Sequence, residues 1–284
     1  MTRTQRRQAL NLLARGVIYA SAVIAIVPLG LVLAYTIKNG LPAVSHVEFF
    51  TNSERPVGIP GAGISHALVG TLVMVGIASA LAIPIGVLGG IFLAEYGHTR
   101  PAAWIRLASD VLVGTPSIAV GLFAFGLLVA PFHHFSALSA SVALAILMLP
   151  VVVRTTEGAV ALIPNGLREA GLALGLARWR VSLQLILPAA APGVITGALL
   201  AVARASGETA PLFFTGFGNR FFTLDPTRPM QSLTLTVFHN ALTPYQVLQD
   251  QAWGAALLLV TLVLFVNLTS RFVLRRQIRL AGKL

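Results

Sequence analysis

The sequence has 284 residues, of which 56% are hydrophobic and 10% are charged, and its mean hydropathy is +0.83. A soluble globular protein carries about 25% charged residues, so this chain lacks the polar side chains that would cover a soluble fold of its size. It contains no cysteine, which excludes disulfides, thiolate metal ligands and a cysteine nucleophile. The composition indicates an all-α, polytopic membrane protein.

Six apolar stretches are long enough to cross a bilayer core, which needs roughly 20 apolar residues per helix. They cover about residues 17–37, 67–94, 107–130, 135–153, 191–212 and 252–273. The first stretch is too long for the core of a signal peptide, so we expect it to be retained. The sequence therefore predicts six transmembrane helices.

The 20 basic residues outnumber the nine acidic ones and give a net charge of +11. Fifteen of the 20 fall in segments on the same side as both chain ends, four fall on the other side, and Arg204 lies inside a span. Because cytoplasmic segments of membrane proteins are enriched in Lys and Arg, we expect both termini to be cytoplasmic. This topology accounts for the basic excess, so we expect membrane lipid and no nucleic acid as a partner.

The spacing of the spans divides the chain into three parts. Residues 1–65 form a cytoplasmic N-terminus, the first helix and an outer loop, and residues 66–270 form a core of five spans. Residues 271–284 are a basic cytoplasmic tail. The longest cytoplasmic segment, residues 154–190, lies within the core.

Motifs for catalysis are missing from the sequence. There is no G-x-x-x-x-G-K-[ST] loop to hold ATP, and neither G-x-S-x-G nor H-E-x-x-H occurs. His133 and His134 are adjacent in a short outer turn, where histidines are more often solvated than metal-bound. We therefore expect no catalytic residue and no metal site, which leaves transport or scaffolding as the function.

The cytoplasmic segment is predicted to contain a short amphipathic helix. Asn165 is expected to cap its start, and Gly175 suits a left-handed stop. Arg168 and Glu169 fall on a polar side. The apolar side consists of Leu167, Ala170, Gly171 and Leu174. Such a helix suits a groove on another protein, although amphipathicity alone slightly favours a helix that lies on lipid headgroups.

This segment resembles the EAA loop of ABC-transporter permease subunits, E-A-A-x3-G-x9-I-x-L-P. Gly171 replaces the second alanine of the motif, and Leu185 replaces its isoleucine. The positions that match in identity and spacing are Glu169, Ala170, Gly175, Leu187 and Pro188. The resemblance implies that the helix, with Arg168 and Glu169, inserts into a cleft of a separate ATPase subunit and transmits its closure.

Ionisable residues at membrane depth are costly and suggest a functional site. Arg204 and Glu208 are spaced i, i+4 and are expected to share one helix face. A guanidinium suits a tetrahedral oxyanion, and Glu208 would neutralise it between substrates, although a purely structural pair is an equal alternative. Asp110 either balances an arginine or caps a broken helix near Pro116.

Two further runs resemble the permeases of phosphate-specific ABC transporters. Residues 203–212 are similar to the A-R-x-x-G-E-T-A-P-L signature, and residues 149–157 to the L-P-x-x-x-R-T-T-E run of the A-type subunit. The resemblance implies the fold of a type I ABC importer permease. The residues expected along the phosphate path are Arg154, Arg204, Glu208, Thr209 and Asp110.

The same resemblance implies a set of partners. These are a homologous second permease forming a heterodimer, two ATPase subunits, and a periplasmic or lipid-tethered phosphate-binding protein. This chain would bind no cofactor, since ATP and Mg would sit on the partner subunits. The alternatives are a permease for sulfate or molybdate, a non-transporting sensor or scaffold, and an autonomous channel or secondary carrier.

Overall fold

The computed structural model describes residues 3–281, apart from the side chains of Ala9, Ser270, Arg271 and residues 273–281. Every regular element in this range is helical. The predicted basic tail at 271–284 therefore lies, except for Phe272, outside the described side chains. Within the described range, five helices are long and apolar enough to cross a membrane, and a sharply bent pair adds a sixth crossing if it is one span. This matches the predicted all-α membrane fold.

The helices are numbered in chain order. The five long ones are α1 (Arg3–Val44), α3 (Ser65–Tyr96), α6 (Ala137–Ala161), α9 (Leu187–Ser206) and α12 (Gln246–Ala281). The shorter ones are α2 (Val47–Thr51), α4 (Arg100–Gly114), α5 (Ser117–Ala124), α7 (Asn165–Ala173), α8 (Arg178–Arg180), α10 (Ala210–Thr215) and α11 (Leu233–Ala241). A π-helical turn, Phe125–Val129, continues α5, and another, Val181–Ile186, joins α8 to α9.

Helix α6 is the centre of the bundle, because α3 and α9 pack on it through glycines spaced four residues apart. A Cβ at Gly86 of α3 would lie 2.7 Å from Val152 Cβ, and a Cβ at Gly193 of α9 would lie 2.7 Å from Ala159 Cβ. Gly90 and Gly197 repeat these contacts four residues later, against Thr156 and Thr155. Small residues allow membrane helices to approach closely where apolar side chains gain nothing over lipid.

The third predicted span, residues 107–130, is divided in two. Helix α4 begins earlier than predicted and ends at Gly114, and α5 leaves it at an angle of 108°. Pro116 disfavours helical backbone at the preceding residue, and Thr115 is accordingly extended, with φ −77° and ψ 131°. The freed helix end is partly satisfied because the Thr115 hydroxyl donates to the Val111 carbonyl over 2.7 Å.

Helix α1 is exposed over most of its length and contacts the bundle near its C-terminal end. There, Tyr35 meets Trp253 of α12 edge to face, with 5.2 Å between ring centroids. A Cβ at Gly40 would lie 2.8 Å from Leu257 Cβ, so the two backbones are in close contact.

The long loop between α10 and α11 caps the start of α6. The first amides of a helix have no partner within it, and here loop carbonyls supply one. Ala137 N–H donates to the Arg228 carbonyl and Leu138 N–H to the Pro226 carbonyl, each over 2.9 Å. The Ser136 side chain accepts from Ser139 N–H. The loop is therefore fixed to the central helix of the bundle.

Candidate functional site

The predicted fifth span is interrupted between α9 and α10. Helix α9 ends at Ser206 and α10 begins at Ala210. Pro211 has no N–H to donate to the Gly207 carbonyl, and its ring would clash with that carbonyl in a continuous helix. Glu208 therefore lies beyond the helix end, so the prediction that Arg204 and Glu208 share one helix face is wrong.

The two residues nevertheless lie side by side at this break. Arg204 Nε is 3.7 Å from Glu208 Oε1, close enough for an ion pair but too far for a hydrogen bond. The Arg204 side chain is 51% exposed, against 17% for Glu208. Within the described residues no hydrogen bond to the Arg204 guanidinium is found, so its donors are open to another group. Thr209 follows directly, at the start of α10.

A second charged cluster joins α4 to α6. Glu157 accepts from Arg106 Nη2 over 2.6 Å with one oxygen and from Arg154 Nη1 over 2.8 Å with the other. Arg154 also donates to Asp110. Two guanidiniums and two carboxylates thus balance one another. Of the two roles predicted for Asp110, the structure shows the first, in which it balances an arginine.

Glu157 was missed as a site residue by the sequence reasoning, together with its partner Arg106. The available signal was the run at 149–157, whose last residue is Glu157 itself. Its i, i+3 spacing from Arg154 predicts a contact on one helix face, and the structure shows that contact.

The short amphipathic helix predicted in the long loop is present as α7. Asn165 does not cap it: Pro164 holds the capping position without a side-chain hydrogen bond, and Asn165 is the first helical residue. The glycine stop is confirmed, since Gly175 has φ +78°. Gly175 N–H donates to the Leu172 carbonyl and Leu176 N–H to the Gly171 carbonyl, which is the hydrogen-bond pattern of a Schellman motif.

Arg168 and Glu169 do not share a polar side, contrary to the prediction. Arg168 turns into the chain, where Nε donates to Glu95 Oε1 over 3.0 Å. Its other nitrogens donate to the carbonyls of Ile163 and Val160. Glu169 remains exposed. The difference arises because α7 lies against the ends of α3 and α6, a contact that helical periodicity alone does not reveal.

The predicted apolar side of α7 is also divided. Gly171 is buried, and a Cβ there would lie 2.7 Å from Leu185 and 2.9 Å from Val181, so the helix packs tightly on the segment that leads into α9. Leu187 and Pro188 begin α9 directly after this segment. The remaining members of the predicted side are exposed, namely Leu167, Ala170 and Leu174. They form, with Glu169, an outward surface of α7.

No group of three or more His, Asp or Glu side chains is placed to hold a metal ion within residues 3–281, as far as their side chains are described. His133 lies in the short turn after the π-helical end of α5 and has φ +50°.

The fold and these sites define a polytopic helical membrane protein with an interrupted span and a short helix, α7, that presents an exposed surface. Residues 86–279 match the family described as binding-protein-dependent transport system inner membrane component. The chain is 40% identical over 266 residues to the phosphate transport system permease protein PstA of Haemophilus influenzae, covering 93% of this chain and 94% of the relative. It is 39% identical to PstA 1 of Mycobacterium tuberculosis, covering 98% and 92%. The chain therefore belongs to the family of binding-protein-dependent transport system inner membrane components.

Solved structures support the same fold. The methionine ABC transporter MetNI in an inward-facing conformation matches with a TM-score of 0.58 at 18% identity, covering 75% of this chain and 93% of that one. A bacterial alginate ABC transporter, crystallised with a periplasmic protein bound to an alginate pentasaccharide, matches with a TM-score of 0.57 at 13% identity and covers 96% of both chains. At these identities the likeness establishes the architecture of an ABC importer permease.

Proposed function

We propose that this chain is the transmembrane permease subunit of an ATP-driven importer of inorganic phosphate. The observation that carries the proposal is its identity of 39–40% to phosphate transport permeases over nearly the whole length of the chain. Since the relatives are matched along almost their full length as well, the comparison concerns the whole subunit. In this proposal the chain binds and gates the substrate, and ATP and Mg are bound by partner subunits.

The anion is bound at the break between α9 and α10. Arg204 offers a half-exposed guanidinium. Its ion pair with Glu208 is long, at 3.7 Å, so an oxyanion can take the place of the Glu208 carboxylate. Glu208 would balance the charge once the anion has left, so that phosphate is not held in a deep trap. Thr209 adds a hydroxyl next to the pair.

Arg154 and Asp110 border the same path but have a different task. Their charges are matched within the chain by Glu157 and by each other. A guanidinium shared between two carboxylates has little capacity left for phosphate. We therefore assign this cluster to the wall of the path, where it holds α4 against α6.

Helix α7 couples the spans to an ATPase subunit. Its exposed surface consists of Leu167, Glu169, Ala170 and Leu174. Arg168 and Gly171 fasten the opposite side to the bundle, so a push on the exposed surface is carried into α3, α6 and α9. The connection from α7 to α9 is defined by Gly175 at its start and by Leu187 and Pro188 at its end.

The remaining partners follow from this role. A homologous second permease completes the path, two ATPase subunits bind at the α7 end, and a periplasmic or lipid-tethered phosphate-binding protein docks at the other end. The basic residues favour a cytoplasmic location for both termini, and the family description supports a place in the inner membrane.

Reconstitution tests the proposal. The tagged chain is expressed in its own cells with its natural partners, purified in detergent and placed in proteoliposomes with the binding protein. We expect an ATPase to co-purify and labelled phosphate to accumulate only with ATP. Competition by sulfate or molybdate but not by phosphate would reassign the substrate. Uptake without ATP would indicate a channel or secondary carrier, and the absence of an ATPase would favour a sensor or scaffold.

A further inference from the structure

The break between α9 and α10 leaves a backbone carbonyl without a helical partner. In a continuous helix the Glu208 carbonyl would accept from the amide four residues later. Instead the Thr234 hydroxyl, from α11, donates to it over 3.0 Å. Thr234 is 4% exposed, so this hydrogen bond is shielded from solvent. A buried carbonyl without a partner would be costly, so the bond favours the present position of the break.

The hydrogen bonds around Thr234 run in a single direction. A hydroxyl has one proton, and Thr234 gives its proton to Glu208. In the 2.9 Å contact between the two hydroxyls, Ser232 must therefore be the donor. Ser232 in turn accepts from Leu235 N–H over 3.0 Å. Each donor in this series of hydrogen bonds polarises the next, which strengthens the last bond, from the Thr234 hydroxyl to the Glu208 carbonyl.

The start of α11 is itself fastened to α3. Leu233 N–H donates to the Thr71 hydroxyl over 2.9 Å, and Thr71 donates to the Ala67 carbonyl over 2.8 Å. Both Thr71 and Leu233 are buried. Two series of hydrogen bonds, joined by the backbone at the start of α11, thus connect α3 to the backbone that carries Glu208.

We propose that Thr234 is a positioning residue for transport, which holds the Glu208 carbonyl so that Arg204 and Glu208 face the passing anion together. The proposal rests on the function proposed above. Thr234 acts through the backbone, since its hydroxyl is committed to the carbonyl. Without this bond the break would shift, the long ion pair would lose its geometry, and less phosphate would be carried per ATP hydrolysed.

Thr234→Val tests this in the reconstituted complex, because it keeps the shape of the side chain and removes the donor. Thr236→Val is the matched control: Thr236 lies on the same helix, is buried, and donates to the Ser232 carbonyl, away from the break. We expect phosphate transported per ATP hydrolysed to fall about three- to tenfold in Thr234→Val, as for loss of one hydrogen bond. The ratio should stay near wild type in Thr236→Val and recover in Thr234→Ser.

A ratio unchanged in Thr234→Val, or lowered equally in Thr236→Val, would overturn the proposal. If Thr234→Val does not assemble, Thr234→Ala is measured in its place, and failure of both to assemble while Thr236→Val assembles would show a role in folding instead. A complex that transports no phosphate even with the wild-type chain would refute the proposed function itself, which separates the two failures.

A double-mutant cycle with Glu208→Gln distinguishes a positioning role of Thr234 from a merely structural one. If Thr234 acts through the Arg204–Glu208 pair, Thr234→Val should lower the phosphate-to-ATP ratio much less in the Glu208→Gln background than in the wild type. Equal effects in the two backgrounds would contradict a positioning role.

Discussion

Arg154 and Arg204 lie in two regions of the same bundle and differ in how their charges are met. Arg154 donates to two carboxylates from two helices and is 31% exposed. Arg204 has one partner at 3.7 Å and is 51% exposed. Both guanidiniums were expected along the phosphate path, yet the first is occupied within the chain and the second keeps its donors available. A charged residue that is closely paired within the chain holds helices together. A charged residue whose ion pair is long is better suited to binding a ligand.

The same contrast recurs on α7. Arg168, 18% exposed, is bound to Glu95 and to backbone carbonyls of its own chain. Its neighbour Glu169 is exposed. One residue of the motif anchors the helix, and the next is presented to a partner. Substitutions of residues that are paired within the chain and of residues that are left exposed should therefore have different effects.

Arg204→Ala should have the largest effect. Loss of the available guanidinium should lower phosphate transport more than about 100-fold, since a charge-assisted bidentate contact to the anion is removed, while the complex still assembles. Uptake into proteoliposomes measures the first quantity and size-exclusion chromatography the second. Arg228→Ala is the control, because that arginine is 70% exposed and, among the residues that the structure describes, forms its ion pair with Asp225 three residues away. An unassembled Arg204→Ala complex would mean that this arginine, too, is structural.

Glu169→Lys should uncouple the transporter. The reversed charge lies on the exposed surface of α7, so the chain should fold while stimulation of ATP hydrolysis by the binding protein falls about tenfold or more, the size expected for a lost charged contact at an interface. Glu169→Gln, which removes the charge without reversing it, should have a smaller effect. Normal coupling in Glu169→Lys would contradict the assignment of this surface.

Glu157→Gln should act on stability more than on transport per complex. Two arginines lose a shared carboxylate, and we expect a loss of about 2 kcal/mol, below the roughly 3–5 kcal/mol of a fully buried pair because Arg106 is 36% exposed. Thermal unfolding of the purified complex measures this effect. A transport defect without any loss of stability would show that Glu157 acts on the substrate and does not only support the wall of the path.

Asp110→Asn should have the smallest effect. The Asp110 side chain is 56% exposed, and exposed ion pairs contribute at most about 1 kcal/mol. The unfolding midpoint of the complex should drop less than in Glu157→Gln. The opposite order of the two variants would show that Asp110, not Glu157, is the main partner of Arg154.

Much of the fold could be predicted from the sequence because membrane spans depend on local hydropathy and on the placement of Arg and Lys. The α7 helix and its Gly175 stop were predictable for the same reason, since both depend on neighbouring residues. The direction of Arg168 could not be predicted in this way, because it is set by Glu95, 73 residues away. The break before Pro211 had a local signal in the proline itself, but the hydrogen bond from Thr234 to the Glu208 carbonyl, across 26 residues, had none.

Parallel lysine substitutions at the two arginines test whether Arg204 binds phosphate while Arg154 holds α4 against α6. Lysine keeps the charge but loses the planar fork that binds two oxygens at once. We predict that Arg204→Lys lowers phosphate transport per assembled complex while yield stays normal. We also predict that Arg154→Lys lowers the yield or stability of the complex while each assembled complex transports normally. The reverse pattern, with transport lost at Arg154 and assembly lost at Arg204, would contradict both assignments.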